Sequence, residues 1–316
     1  MQRIVVTGGA GFIGSHVVEG LLAQDKYVTV IDNFSTGRIL FIQNLLQNSR
    51  FQLIRGDLKD RKLLSKSLRK CDFIFHFAAH ADIRSGFNDH FIDHEQNLET
   101  TQNVLEAMVE NGVKNICFAS SSAVYGDDAV HPTPENYPLE PDSLYGATKA
   151  ACESYIHAYS SYYGIKAYIF RFVSFIGEHY THGIIFDVLK KLQKNPKEIE
   201  LLSDGTPRKS SIYVADGIDA IFKTIVKSKG RFNVFNLGHD EVLTVNRIVD
   251  HIIKASGYRN VKKSWLGKGS NWKGDNEFVY LDNRKIKALG WAPKFSIKEG
   301  IVRTVRYLQA NPELFM

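Results

Sequence analysis

The sequence predicts an α/β fold: a doubly wound parallel sheet followed by a smaller C-terminal lobe. Three observations lead there. Short apolar runs alternate with helical patterns through the first half of the chain. Those runs are continuously apolar, which implies strands buried on both faces between layers of helices. A glycine-rich turn, Gly8-Gly9-Ala10-Gly11-Phe12-Ile13-Gly14, joins the first run to the first helical pattern.

Taken in order, residues 4–6, 28–31, 51–54, 73–77, 116–119 and 167–172 read as strands, mostly β-branched or aromatic and bounded by polar residues or glycine. Residues 15–24, 63–68, 98–111 and 143–163 read as the helices between them. Later the alternation loosens. Helices are expected at 184–194, 216–227 and 245–256, and strands near 199–202, 232–237 and 277–281. This divides the chain into a cofactor-binding domain, 1–172, and a smaller lobe, 173–316, with segments near 212–240 able to return to the first domain.

At 316 residues and 44% hydrophobic, the chain can bury a large core. Cys71, Cys117 and Cys152 are few, widely spaced and without a CxxC pair, so neither a disulfide framework nor a zinc site is indicated. No apolar run is long enough to span a bilayer and no signal-peptide pattern is present, so the expected setting is the cytoplasm, without a membrane partner. The net charge of +6 is concentrated late in the chain, but acidic residues interrupt it and no nucleic-acid motif accompanies it. It reads as solvated surface or as attraction for a phosphorylated metabolite, and a nucleic-acid partner is not expected.

Gly8, Gly11 and Gly14 permit a tight turn, close approach of backbone to a pyrophosphate and close helix–strand packing, with a helix N-terminus facing the anion. The spacing is GxxGxxG. Asp32 ends the second strand 18 residues after Gly14, where a carboxylate accepts hydrogen bonds from ribose hydroxyls. It would repel a 2′-phosphate, and Asn33 follows it where an arginine would favour NADP, so NAD is expected. Asp57-Leu58 closes the third strand, where a polar side chain can reach the adenine edge.

Tyr145 stands four residues before Lys149, a spacing shared by Tyr162…Lys166 and Tyr258…Lys262. The first pair is the one that comes next after the glycine turn and a serine cluster, Ser120-Ser121-Ser122. On a helix the two share a face, and an ammonium there can lower a phenol's pKa toward that of a general base for an alcohol. The combination points to hydride chemistry on a hydroxyl-bearing substrate.

With Asp32-Asn33, Gly56-Asp57-Leu58, His76-Phe77-Ala78-Ala79, Ser120 through Gly126, Tyr145…Lys149 and Leu289-Gly290-Trp291-Ala292-Pro293, the chain resembles the extended short-chain dehydrogenase/reductase family, in its nucleotide-sugar epimerase and dehydratase group. The resemblance covers nearly the whole chain and implies a Rossmann-type sheet, bound NAD and a nucleotide-sugar substrate. It implies Tyr145 as the base, Lys149 as the group that lowers the tyrosine pKa and holds the nicotinamide ribose, and Ser121 as the hydrogen-bonding serine, with Ser122 the alternative. Phe12, Ile13, Phe77, Ala78, Ala79, Asn97 and Phe172 would line the cofactor.

Where sugar 4,6-dehydratases of this family carry Thr-Asp-Glu, this chain has Ser121-Ser122-Ala123. Without acid and base side chains there, 4-epimerisation is the expected activity. A dehydratase or ketosugar reductase is the alternative, and a non-enzymatic nucleotide-sensing module, which would be expected to lose Tyr145 or Lys149, a further one. Ser174 stands where the family usually has a diphosphate-binding asparagine, Arg208 matches a phosphate-binding arginine, and Trp272 replaces a second arginine, leaving Lys268 or Lys273 to supply charge. Val279 falls near a position where a bulky tyrosine restricts the sugar's C2 substituent. The family also implies a homodimer built from helices 98–111 and 143–163.

His80, Asp82 and Arg84 follow the fourth strand within reach of a substrate. His90 and His94, with Asp93 and Glu95, have helical spacing but no third histidine ligand, so they read as solvated or cleft-lining and no metal is expected. His179 and His182 lie in an atypical loop and are candidates for shaping the substrate pocket.

Overall fold

In the computed structural model, which describes residues 2–267 and 276–315, the chain opens with β1 (Arg3–Thr7), α1 (Phe12–Ala23), β2 (Tyr27–Asp32), β3 (Phe51–Arg55), α2 (Arg61–Ser67) and β4 (Phe73–His76). It continues through α3 (Ser85–Asn88), a π-helical turn at His94–Glu99, α4 (Thr100–Asn111), β5 (Asn115–Ser121), α5 (Leu144–Tyr163) and β6 (Lys166–Phe172). Then follow β7 (Ser174–Ile176), α6 (Ile184–Lys194), β8 (Glu198–Leu201), β9 (Arg208–Lys209), β10 (Ser211–Tyr213), α7 (Val214–Lys227) and β11 (Phe232–Leu237). The last elements are β12 (Leu243–Thr244), α8 (Val245–Ser256), β13 (Lys262–Trp265), β14 (Phe278–Val279), α9 (Arg284–Lys287) and α10 (Ile297–Ala310).

Seven parallel strands form the central sheet in the order β11-β6-β5-β4-β1-β2-β3. This is the doubly wound sheet expected from the continuous apolar runs. One face packs on Val17, Val18, Leu21, Ile218 and Ile221 of α1 and α7. The other packs on Leu64, Val104, Met108 and Ile156 of α2, α4 and α5. Strand order reverses between β1 and β4, and ligands of open α/β sheets bind at such a reversal, beyond the carboxyl ends of the strands.

A separate apolar cluster joins α6, α8 and α10 through Leu189, Leu192, Val249, Ile252, Ile301 and Val305. Helix α10 was not expected from the sequence. Its start is nevertheless a capping box: Ser296 Oγ accepts from Glu299 N at 3.2 Å, and Glu299 Oε2 accepts from Ser296 N at 2.9 Å. Helix α4 begins later than the expected 98, because the residues before Thr100 form the wider π turn that holds Asn97 inside, 1% exposed. Such turns recur at functional sites.

Candidate functional site

The glycine turn is closed by Gly8 N donating to Ile31 O at 2.9 Å and Gly11 N to Gly8 O at 3.1 Å. A Cβ on Gly14 would lie 2.1 Å from Gly8 O, and one on Gly8, whose φ is +69°, would lie 2.6 Å from Ala78 N. These positions therefore admit only glycine. Helix α1 starts at Phe12 and Ile13 with no side-chain cap and no acidic residue in its first turn, leaving its N-terminus to an anion.

Asp32 is 7% exposed and accepts from Ala10 N at 2.9 Å and Phe34 N at 2.8 Å. Burial raises its pKa, offset in part by those two backbone donors. Its two oxygens keep further acceptor capacity for ribose hydroxyls. Asn33 Nδ2 donates to Asp57 Oδ2 at 2.9 Å, so the expected adenine-side residues are joined, while the Leu58 side chain is buried. Phe77, Ala78 and Ala79 continue from the end of β4, and Phe172 ends β6, with β5 between the two strands in the sheet order. The glycine cradle, the open helix end and the carboxylate at the tip of β2 fit a dinucleotide.

Ser121 ends β5, and its hydroxyl accepts from Ala123 N at 3.2 Å and lies close enough to the Tyr145 phenol to lower its pKa. Tyr145 and Lys149 lie on α5, which is started by Ser143 Oγ accepting from Gly146 N at 3.1 Å. Lys149 Nζ donates to Ala119 O at 2.9 Å and sits 5.8 Å from the Tyr145 ring centroid. Ser121, Tyr145 and Lys149 are thus brought together.

The electrostatics differ from expectation. Burial pushes the Tyr145 phenol up to about 12, the Ser121 hydrogen bond pulls the other way, and the charges of Asp93 and Cys152 add to the rise. Burial also pulls Lys149 down to about 8. The ammonium is spent on the Ala119 carbonyl, and desolvation outweighs any help it gives the phenol. In the protein alone, Tyr145 holds its proton.

Asn97 Oδ1 accepts from His80 N at 2.8 Å, and its Nδ2 reaches Thr148 Oγ1 of α5 at 3.3 Å. On the substrate side, Ser122 and Val279 line one small cavity with Tyr125, His131 and Phe278. The Arg208 guanidinium lies 3.7 Å over the Phe278 ring. Ser174 is exposed on β7, paired with Ser211. Lys273, with Lys268 and Trp272, lies outside the described residues.

His90 and His94 are exposed, and among the described residues no group of three or more His, Cys, Asp or Glu side chains could hold a metal. The His179 ring stacks between His16 (4.6 Å) and Phe41 (4.4 Å), and its Nδ1 is 2.8 Å from Ser15 Oγ of α1. His182 stacks on Tyr180 and feels the charges of Asp82 and Arg84. The sequence reading missed Glu153, which accepts from Ser120 Oγ at 2.5 Å and pairs with Arg171. Its position four residues beyond Lys149, on the same helix face, was the available signal.

A model of the NAD dependent epimerase/dehydratase family matches residues 4–238. A putative UDP-glucose 4-epimerase of Methanocaldococcus jannaschii is 32% identical over 314 residues, 98% of this chain and 99% of that one. A crystal structure of UDP-galactose 4-epimerase superposes with a TM-score of 0.88 at 34% identity, covering 98% of this chain and 99% of that one. A dTDP-glucose 4,6-dehydratase double mutant from Streptomyces venezuelae, crystallised with NAD, superposes with a TM-score of 0.91 at 28% identity, covering 99% and 98%. The chain belongs to the NAD-dependent epimerase/dehydratase family.

Proposed function

We propose that the protein is a nucleotide-sugar 4-epimerase acting on a UDP-hexose. The observation that carries this reading is the turn after Ser121, where Ser122 and the buried Ala123 offer neither an acid nor a base. Eliminating water from a sugar calls for both. Reversible oxidation at C4 needs one proton acceptor, and Tyr145 is placed to be it.

In this reading Tyr145, which must first give up its own proton beside the positively charged nicotinamide ring, takes the proton of the C4 hydroxyl at Oη and later returns it. Ser121 Oγ, which lies near that phenol, hydrogen-bonds the sugar oxygen. NAD, when bound, supplies the hydride acceptor and donor together with the positive charge of its oxidised ring. Asp32 holds the adenosine ribose, Asn33, Asp57 and Leu58 border the adenine, and Gly8, Gly11 and Gly14 leave the backbone at Phe12 and Ile13 open to the pyrophosphate. Phe77, Ala78, Ala79, Asn97 and Phe172 line the remaining cofactor, and Lys149 anchors its second ribose. The 4-keto sugar then turns to offer its other face. His80, Ser122, Ser174 and Arg208 are assigned to the substrate, and the small Val279 leaves room for an N-acetyl group at C2.

The chain is further proposed to form a homodimer through α4 and α5, where Tyr155, Tyr162 and Tyr163 are exposed by 39%, 80% and 43%. The test of the activity is incubation with UDP-glucose, UDP-N-acetylglucosamine and UDP-glucuronate, with products followed by NMR. C4-epimeric pairs support the reading, and a 4-keto-6-deoxy product overturns it.

A further inference from the structure

The loop leaving β4 carries a histidine–carboxylate pair that the chemistry of Ser121, Tyr145 and Lys149 does not use. His80 lies four residues past His76, the last residue of β4, at the carboxyl edge of the sheet. It is clamped at three atoms. Its backbone N donates to Asn97 Oδ1 at 2.8 Å, its backbone O accepts from Asn97 Nδ2 at 3.2 Å, and its ring Nδ1 is 3.1 Å from Asp93 Oδ1. A carboxylate is an acceptor, so in the neutral ring the proton sits on Nδ1 and the Nε2 lone pair is left free. Nε2 has no hydrogen-bond partner among the described residues, and the side chain keeps 18% of its surface exposed.

Asp93 is wholly buried, and its Oδ2 has no hydrogen-bond partner. That oxygen faces Gly86, where a Cβ would sit 2.5 Å away. A buried, half-satisfied carboxylate is expensive for a loop brace, which an amide would serve as well. The pair also borders the catalytic helix: Asn97 Nδ2 contacts Asp93 Oδ1 at 3.4 Å and Thr148 Oγ1 at 3.3 Å, and Thr148 lies between Tyr145 and Lys149. Asp93's charge is felt by both of those residues.

We infer that His80 Nε2 accepts a hydrogen bond from a hydroxyl of the nucleotide-linked sugar, and that Asp93 is the positioning residue that holds the ring in the tautomer able to do so. This rests on the nucleotide-sugar reading above. It gives His80 a defined chemical task and adds Asp93 as a residue that acts only through it.

The test is calorimetric titration of the NAD-loaded protein with UDP and, separately, with UDP-glucose. His80→Phe removes the acceptor. Asp93→Asn keeps the shape, but its amide can donate to Nδ1 and drive the ring proton to Nε2. Each is expected to weaken UDP-glucose binding about tenfold, the worth of one hydrogen bond, while UDP binding stays unchanged. The double variant is expected to be no weaker than His80→Phe alone. Unchanged UDP-glucose affinity in His80→Phe, equal loss for UDP, or losses that add overturns the inference alone. Wild-type protein that binds neither ligand overturns the nucleotide-sugar reading and the inference with it. Should Asp93→Asn fail to fold, nitrogen-15 NMR of the wild-type imidazole decides: a proton on Nδ1 is expected, and one on Nε2 contradicts the account.

Discussion

Arg171 and Glu153 face each other inside the protein, Nη2 to Oε2 at 2.7 Å, with side chains only 6% and 5% exposed. Arg171 Nη1 continues to Tyr125 Oη at 2.7 Å and Glu135 O at 2.9 Å, and Glu153 reaches back to Ser120 at 2.5 Å. The pair therefore ties α5, which carries Tyr145 and Lys149, to β5 and β6 on the strand side.

Removing one partner leaves a buried, unpaired charge. Glu153→Ala or Arg171→Ala is expected to cost about 3–5 kcal/mol in urea unfolding. Replacing both with apolar residues of similar volume is expected to recover most of that loss. A double change that costs the sum of the two single losses would show that the charges do not depend on each other.

Tyr145→Phe keeps the ring and deletes the proton acceptor. Turnover is expected to fall about 10²–10⁴-fold, with the unfolding midpoint little changed. In the NAD-free protein, with the phenol at about 12, difference absorbance of wild type against Tyr145→Phe should reveal no extra tyrosinate in the ordinary range near about pH 10.

His76 sits between Thr7 Oγ1 (2.7 Å) and Thr101 Oγ1 (3.0 Å), and burial, followed by the Lys149 charge, holds it down at about 3. An unfolded chain has about 6.5, so as pH falls the unfolded state takes the proton first. The stability contributed by this group is whole above about pH 6.5 and is lost as pH drops toward the folded value, by at most about 1.4 kcal/mol per pH unit. His76→Gln should flatten the plot of unfolding free energy against pH in that window. Parallel plots would contradict the assignment.

Gly14→Ala forces a Cβ to 2.1 Å from Gly8 O, so the turn itself must shift. A stability loss of about 1–3 kcal/mol is expected, together with weakened NAD binding in a fluorescence titration. NAD affinity equal to wild type would remove the turn from the cofactor site.

Much of this was legible before any coordinates. The β-branched run at 28–31 and the aromatic-rich run at 167–172 foreshadow β2 and β6, and the expected 184–194 and 245–256 coincide with α6 and α8. Two- and three-residue strands such as β9, β12 and β14 are too short to carry a period. Helix α10 was signalled by Ser296 and Glu299, yet Lys298, Arg303 and Arg306 read first as surface charge. In the site, Tyr145…Lys149 stood out by spacing and context, and Ser121, with Ser122 as the alternative, came from the family resemblance. Asp93 was not: among His90, His94 and Glu95 it looks solvated, and only the tertiary fold buries it while leaving its neighbours exposed. In the protein alone the Tyr145 phenol stands higher than its spacing from Lys149 suggests, since spacing reveals a nearby ammonium but not desolvation.

The most direct test follows the hydrogen at C4. With UDP-glucose carrying deuterium at C4, the account predicts a C4 epimer that keeps the deuterium on C4. Deuterium found at C6 of a 4-keto-6-deoxy product, or lost to solvent, would contradict it.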